Sequence, residues 1–106
     1  MRAGRLRQRV TLQEKVVGQN DYGEEVVTWS DVATVWAAVE PLRGQEFLEA
    51  QRQGAEVSTR IVIRYRASVT PEMRVTFGDH TYDVLSVVHV EERRRELQLM
   101  CRELIT

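Results

Sequence analysis

Apolar and polar residues alternate with a period of two along most of the chain, which is typical of strands that bury one face. Near the N-terminus, Val10 and Leu12 lie on one face of such a strand. The turn-forming residues of 18–23 follow, and strand-like composition resumes at residues 26–29. This pattern predicts a long β-hairpin over residues 7–30.

Two segments in the middle of the chain depart from this alternation. Residues 32–39 are apolar apart from Thr34, which predicts a short strand buried on both faces, and Pro41 is expected to end it. The segment 43–54 is rich in Glu, Gln, Leu and Ala. Because these are good helix formers, the segment predicts one short α-helix that Gly54 ends.

Alternation returns after the helix. It predicts further strands at residues 57–66, 73–77, 81–90 and 96–104, with a tight turn at Gly78-Asp79 and a charged turn at 91–94. The predicted fold is mainly β: a small antiparallel barrel or sandwich of about six strands with one inserted helix. Closing the sheet would remove edges that invite aggregation. We expect residues 1–106 to form a single domain.

Composition narrows the possible functions. A net charge of −1 argues against a protein that binds nucleic acid through nonspecific electrostatic attraction to its phosphates. A single cysteine excludes an internal disulfide, and with two histidines a structural zinc site is not expected. No apolar run approaches the length of a membrane span, and the N-terminus lacks the apolar stretch of a secretory signal, so we expect a cytoplasmic origin.

Catalytic chemistry is not evident in the sequence. His80 and His89 have no metal-ligand spacing, Cys101 shares a predicted strand face with leucines, and the glycines form no phosphate loop. We therefore predict no enzyme activity, no cofactor and no metal. Six aromatic residues are interpreted mainly as core, although they would also suit a stacking platform for single-stranded nucleic acid: Trp29, Trp36, Phe47, Tyr65, Phe77 and Tyr82.

Arginine supplies fourteen of the fifteen basic residues. Half of these arginines lie in the first ten residues or in the strand at 60–66. Codon bias in a GC-rich genome would explain the excess. The alternative is bidentate pairing with carboxylates of partner proteins or with phosphates.

Ordered segments along nearly the whole chain resemble the head–tail joining, or head closure, proteins of tailed bacteriophages. The segments that carry the resemblance are residues 4–13, 21–24, 29, 35–46, 60–66, 82–84 and 97–99. The resemblance implies a small β-barrel with one helix, assembled as a typically twelve-fold ring in the neck of the virion. Such a ring would lie between the portal-bound adaptor and the tail, retain packaged double-stranded DNA and dock the tail. It implies no catalytic residues, and assembly in the host bacterial cytoplasm.

Two groups of residues are candidates for this role. The candidate subunit or adaptor interface comprises Arg5, Arg7, Arg9, Asp21, Glu24, Glu25, Arg60, Arg64 and Arg66. The candidate channel-facing segment comprises Arg43, Gln45, Glu46, Glu49 and Arg52. Its alternative is a helix that plugs one end of the barrel. Alternatives for the whole chain are a small nucleic-acid-binding barrel and a neighbouring neck or tail-completion protein.

Overall fold

The computed structural model describes residues 6–90 and 95–104. Its elements are β1 (Gln8–Gln19), β2 (Glu25–Pro41), α1 (Gly44–Arg52), β3 (Thr59–Arg64), β4 (Arg74–Phe77), β5 (His80–Val90) and β6 (Glu96–Leu104). The strands form a closed antiparallel barrel in the order β1-β2-β3-β6-β5-β4, in which β4 pairs with β1 to complete the circuit. The predicted mainly β fold with one short helix is confirmed.

Alternating side chains fill the barrel interior. In β1, β3, β5 and β6 the buried residues are two apart, because successive side chains in a strand point to opposite faces, and β2 and β4 contribute Ala37 and Val75. The buried cluster consists of Val10, Leu12, Ala37, Ile61, Ile63, Met73, Val75, Tyr82, Val84, Leu97, Leu99 and Cys101. A second, smaller cluster lies on the outer face, where Leu6 packs with Ala38 and Val62.

Strand β2 differs from the prediction. The two strand segments predicted at 26–29 and 32–39 form one strand of 17 residues. The expectation that residues 32–39 are buried on both faces is wrong, since Val32 and Trp36 are 40% and 52% exposed. In the described part of the chain, β2 pairs with β3 only from Ala37 onward, so its first half has β1 as its single neighbour.

The first half of β2 and the second half of β1 form an arm, residues 14–30, that extends beyond the barrel. Pairing of β1 with β4 ends at Gln13. A bulge follows, because the β1–β2 register passes from Leu12↔Ala33 to Gln13↔Asp31 and leaves Val32 without a partner. The arm contributes to an elongated outline of 48 × 31 × 27 Å.

The turn at the end of the arm matches the predicted cluster of turn formers. The Asn20 side-chain oxygen accepts hydrogen bonds from the backbone N–H groups of Tyr22 and Glu24, at 2.9 and 3.0 Å. Gly23 has a φ of 78°, a conformation that favours glycine. The predicted tight turn at Gly78 is also present, whereas the charged turn predicted at 91–94 lies outside the described residues.

The interpretation of the aromatic residues as core is correct only in part. Tyr82 is buried, and Tyr65 and Phe77 are partly buried against the core cluster. Trp36 and Phe47 are exposed, so that interpretation is wrong for them. Among the elements that the structure describes, no helix has the length and apolar character needed to cross a bilayer.

Candidate assembly surfaces

An arginine patch, defined as Arg9, Trp36, Arg64 and Arg66, lies on the outer face of β1, β2 and the end of β3. Arg9 is opposite Trp36 in the β1–β2 ladder, and its guanidinium carbon is 4.8 Å from the centroid of the Trp36 ring. Trp36, Arg64 and Arg66 line a cleft of about 320 Å³. This geometry places cationic groups around a half-exposed indole, an arrangement suited to binding acidic and aromatic groups.

Arg60 was predicted to belong with Arg64 and Arg66, but its side chain binds within the chain. Its Nε donates to Glu40 at 3.1 Å, and its Nη1 donates to Glu46 at 2.8 Å. The hydrogen bond to Glu46 raises the pKa of Arg60. Arg60 therefore joins β2, α1 and β3. Arg7 is exposed, and Arg5 lies outside the described residues.

The predicted acidic interface residues lie together at the end of the arm. This acidic tip is defined as Asp21, Tyr22, Glu24 and Glu25, all of them exposed. The Tyr22 side chain is 87% exposed, the highest value among the large hydrophobic residues of the described chain. The structure thus separates the predicted interface into two groups, at opposite ends of the β1–β2 hairpin.

The candidate channel-facing residues are all exposed and lie on or directly before α1: Arg43, Gln45, Glu46, Glu49 and Arg52. None of the residues of α1 is buried. A groove of about 640 Å³ separates the helix from Ser86 of β5 and Met100 of β6. These two residues are paired across the β5–β6 ladder, next to the inward-facing Leu99. The helix therefore covers the outer wall, and the alternative that it plugs a barrel end is not supported.

A row of charged residues that sequence reasoning missed crosses the other side of the barrel. Arg74 stacks over the Trp29 ring at 4.0 Å and pairs with Asp83 at 3.5 Å. Asp83 also pairs with Arg102 at 3.2 Å, and Arg102 pairs with Glu56. The row connects the base of the arm, at Trp29, to β4, β5 and β6. The strand register brings it together, because Arg74 is opposite Asp83 and Asp83 is opposite Arg102.

Nucleophilic and metal-binding residues form no site in the described ranges 6–90 and 95–104. Cys101 is fully buried in the core, as predicted, and burial raises the pKa of its thiol to about 12. It is therefore protonated at neutral pH and a poor nucleophile. His80 lies 2.8 Å from Glu103 at the surface, and His89 is exposed. No group of His, Cys, Asp or Glu in these ranges has the arrangement of a metal site.

Comparisons with known proteins agree with this geometry. The sequence model of a family described as phage head completion protein matches residues 1–104. Comparison with curated proteins finds no match. The solution structure of protein SF1141 from Shigella flexneri 2a is 31% identical, with a TM-score of 0.74 over 97% of this chain and 96% of that chain. A chain in the virion of a native gene transfer agent particle is 22% identical, with a TM-score of 0.66 over 96% and 98%. At that identity, the second likeness shows the fold alone.

Proposed function

The chain belongs to the phage head completion protein family, a family of structural virion proteins, and from this premise we propose its place in the particle. It forms a ring in the neck, between the portal-bound adaptor and the tail. The ring closes the DNA-filled head and offers the surface on which the tail docks. The observation that carries this proposal is the family match, which extends over residues 1–104 and so includes the barrel, the arm and the helix.

The two elements that project from the barrel support a role in assembly. A two-stranded hairpin is at best marginally stable in water without further packing. The arm nevertheless exposes four valines: Val16, Val17, Val26 and Val27. The helix likewise leaves Phe47 and Leu48 exposed. Neighbouring subunits or neck proteins that cover these surfaces would stabilise both elements.

The charge on the helix suits a wall of the DNA channel. Its exposed surface carries both Arg43 and Arg52 and the carboxylates Glu46 and Glu49, with Arg52 and Glu49 paired at 3.6 Å. A strongly cationic wall would bind phosphates and hold the DNA, whereas a wall of mixed charge allows the DNA to slide. We therefore place the segment from Arg43 to Arg52 toward the channel.

Ring formation is expected to depend on the neighbouring virion proteins. Exposed ion pairs contribute only about 0–1 kcal/mol each. A purified chain that is monomeric is compatible with a twelve-fold ring in the virion, because the portal-bound adaptor would supply the template. The candidate interface residues, including Arg5, Arg7 and Arg60, remain predictions for subunit or adaptor contacts.

Complementation of particles tests the proposed function. Heads assembled without this chain are expected to package DNA, lose it and remain without tails. Purified chain that is present while the heads are being filled, before the DNA is lost, should give nuclease-resistant DNA and tail joining. The Val88→Ala variant, altered at a half-exposed position of β5, serves as the matched control and should restore both equally well. Heads that retain their DNA and join tails in the absence of the chain would contradict the proposal.

A further inference from the structure

We propose that the acidic tip of one copy docks on the arginine patch of a second copy, with Tyr22 in the cleft beside Trp36. This inference rests on the proposed function, in which copies of the chain form a ring. It adds the two surfaces that meet and the direction in which copies follow one another.

The two surfaces are complementary in charge. The tip presents the carboxylates of Asp21, Glu24 and Glu25, and the patch presents three guanidinium groups. None of the ion pairs within residues 6–90 and 95–104 involves Arg64 or Arg66. Arginine binds carboxylates through two parallel hydrogen bonds, which gives such a contact directional specificity.

The surfaces are also complementary in shape and aromatic character. Tyr22 projects from the tip with 87% of its surface exposed, and the patch contains a cleft of about 320 Å³ beside the indole of Trp36. Tyrosine, tryptophan and arginine are the residues that most often dominate binding energy at protein interfaces. An aromatic ring placed between an indole and guanidinium groups would contribute both stacking and cation–π attraction.

A tip cannot reach the patch of its own chain. The tip and the patch lie at opposite ends of one continuous hairpin, held apart by the ladder from Gln8↔Ala37 to Gln19↔Glu25. A strand rises about 3.3 Å per residue, so the ten steps from Arg9 to Gln19 span about 33 Å. The contact must therefore be made between two copies.

This separation has a consequence for symmetry. Because the tip and the patch are different surfaces, two copies can meet either reciprocally, as a two-fold dimer, or head to tail. The proposed ring requires the head-to-tail arrangement, which continues from copy to copy and closes where the rotation per copy allows. Covalent species larger than a dimer distinguish this arrangement from the reciprocal dimer.

Cysteine cross-linking tests the contact. In the double variant Asp21→Cys/Thr34→Cys, which keeps Tyr22 and Trp36 and places one thiol on the tip and one in the lining of the cleft, mild oxidation should give a ladder of covalent dimers, trimers and larger species on a non-reducing gel. Each single variant should give dimers at most, because it offers only one of the two surfaces. The native Cys101 is buried and does not compete. The matched control, Asp21→Cys/Leu48→Cys, keeps the tip thiol, places the second thiol at an exposed site on α1 and should give no ladder.

Charge reversal identifies the contact as electrostatic. Adding Arg64→Glu and Arg66→Glu to the double variant should lower the amount of cross-linked product about tenfold. Adding Glu24→Arg and Glu25→Arg as well should restore that amount. If the charge reversals leave the amount of cross-linked product unchanged, the proposal is overturned. A patch whose reversal leaves the ladder intact but abolishes binding to a duplex oligonucleotide would also overturn it, since the patch would then be a DNA site.

The experiment is carried out both with the concentrated purified chain and in assembled particles. Absence of the ladder in both settings, with the double variant incorporated into particles that retain DNA, would overturn the tip-to-patch contact and leave the proposed function standing. A chain that is never incorporated into particles would instead contradict the proposed function.

Discussion

Replacing Leu99 with alanine is expected to lower the free energy of unfolding by about 2–5 kcal/mol, measured by urea denaturation followed by circular dichroism. Leu99 is fully buried on β6, opposite Ile61 of β3 and Val87 of β5. Its truncation removes apolar contacts from three strands of the barrel and leaves a cavity that a closed sheet cannot easily collapse to fill. For a domain of ordinary stability, about 5–15 kcal/mol, this is a large share of the total.

The matched control for this prediction is Val88→Ala on the neighbouring strand. Val88 is 44% exposed, so its truncation should change the free energy of unfolding by no more than about 0.5 kcal/mol. Equal losses for the two variants would mean that the interior cluster does not supply the stability of the barrel.

Deleting the channel-facing segment is expected to release DNA from filled heads while leaving the barrel folded. The variant replaces residues 44–53 with a short Gly-Ser linker. Because no residue of α1 is buried, the core is untouched, and Arg60 keeps its hydrogen bond to Glu40 after losing Glu46. Loss of the helix would widen the channel that the ring is proposed to close. Nuclease-sensitive DNA in particles that have incorporated the variant is the measurement.

Full retention of DNA by particles that carry the deletion would contradict the proposal that this segment faces the channel. The variant Gln51→Ala is the control, since it alters an exposed position and preserves the helix. It should retain DNA as the unaltered chain does. A deletion variant that folds but fails to enter particles would show that the segment also contacts neighbouring subunits or neck proteins, as expected from the exposed Phe47 and Leu48.

Period-two patterning was enough to predict most of the barrel. The last strand was predicted at residues 96–104 and is found at Glu96–Leu104, where Leu97, Leu99 and Cys101 are buried and the intervening Gln98 and Met100 are only partly buried. The helix predicted near 43–54 is found at Gly44–Arg52. For the strand, local composition and burial favour the same structure, whereas the helix, which buries no residue, was predicted from its composition alone.

The arm could not be predicted in the same way. In the sequence, an apolar residue in a strand that crosses the core cannot be distinguished from one in a strand that extends beyond the core. Val32 is exposed because it lies in a bulge of β2, at a position where β3 no longer pairs with that strand. The row from Trp29 to Glu56 was missed for a related reason. Arg74, Asp83 and Arg102 meet only through the register of three strands, and register depends on turns and bulges far apart in the sequence.

The candidate interface was predicted as one set of charges, and the structure divides it. Alternation places Arg60 and Arg64 on the same strand face, yet Glu40 and Glu46 bind Arg60, while Arg64 lies beside Trp36. Partners that come from a neighbouring strand and from a helix cannot be inferred from strand periodicity alone.

A reconstruction of the neck by electron cryomicroscopy, from particles of the phage or prophage that encodes this chain, tests the central claim most directly. The account predicts a closed ring of copies of this barrel between the portal-bound adaptor and the tail, with α1 toward the DNA and each arm reaching the next copy. A neck without this barrel, or the barrel found elsewhere in the particle, would contradict it.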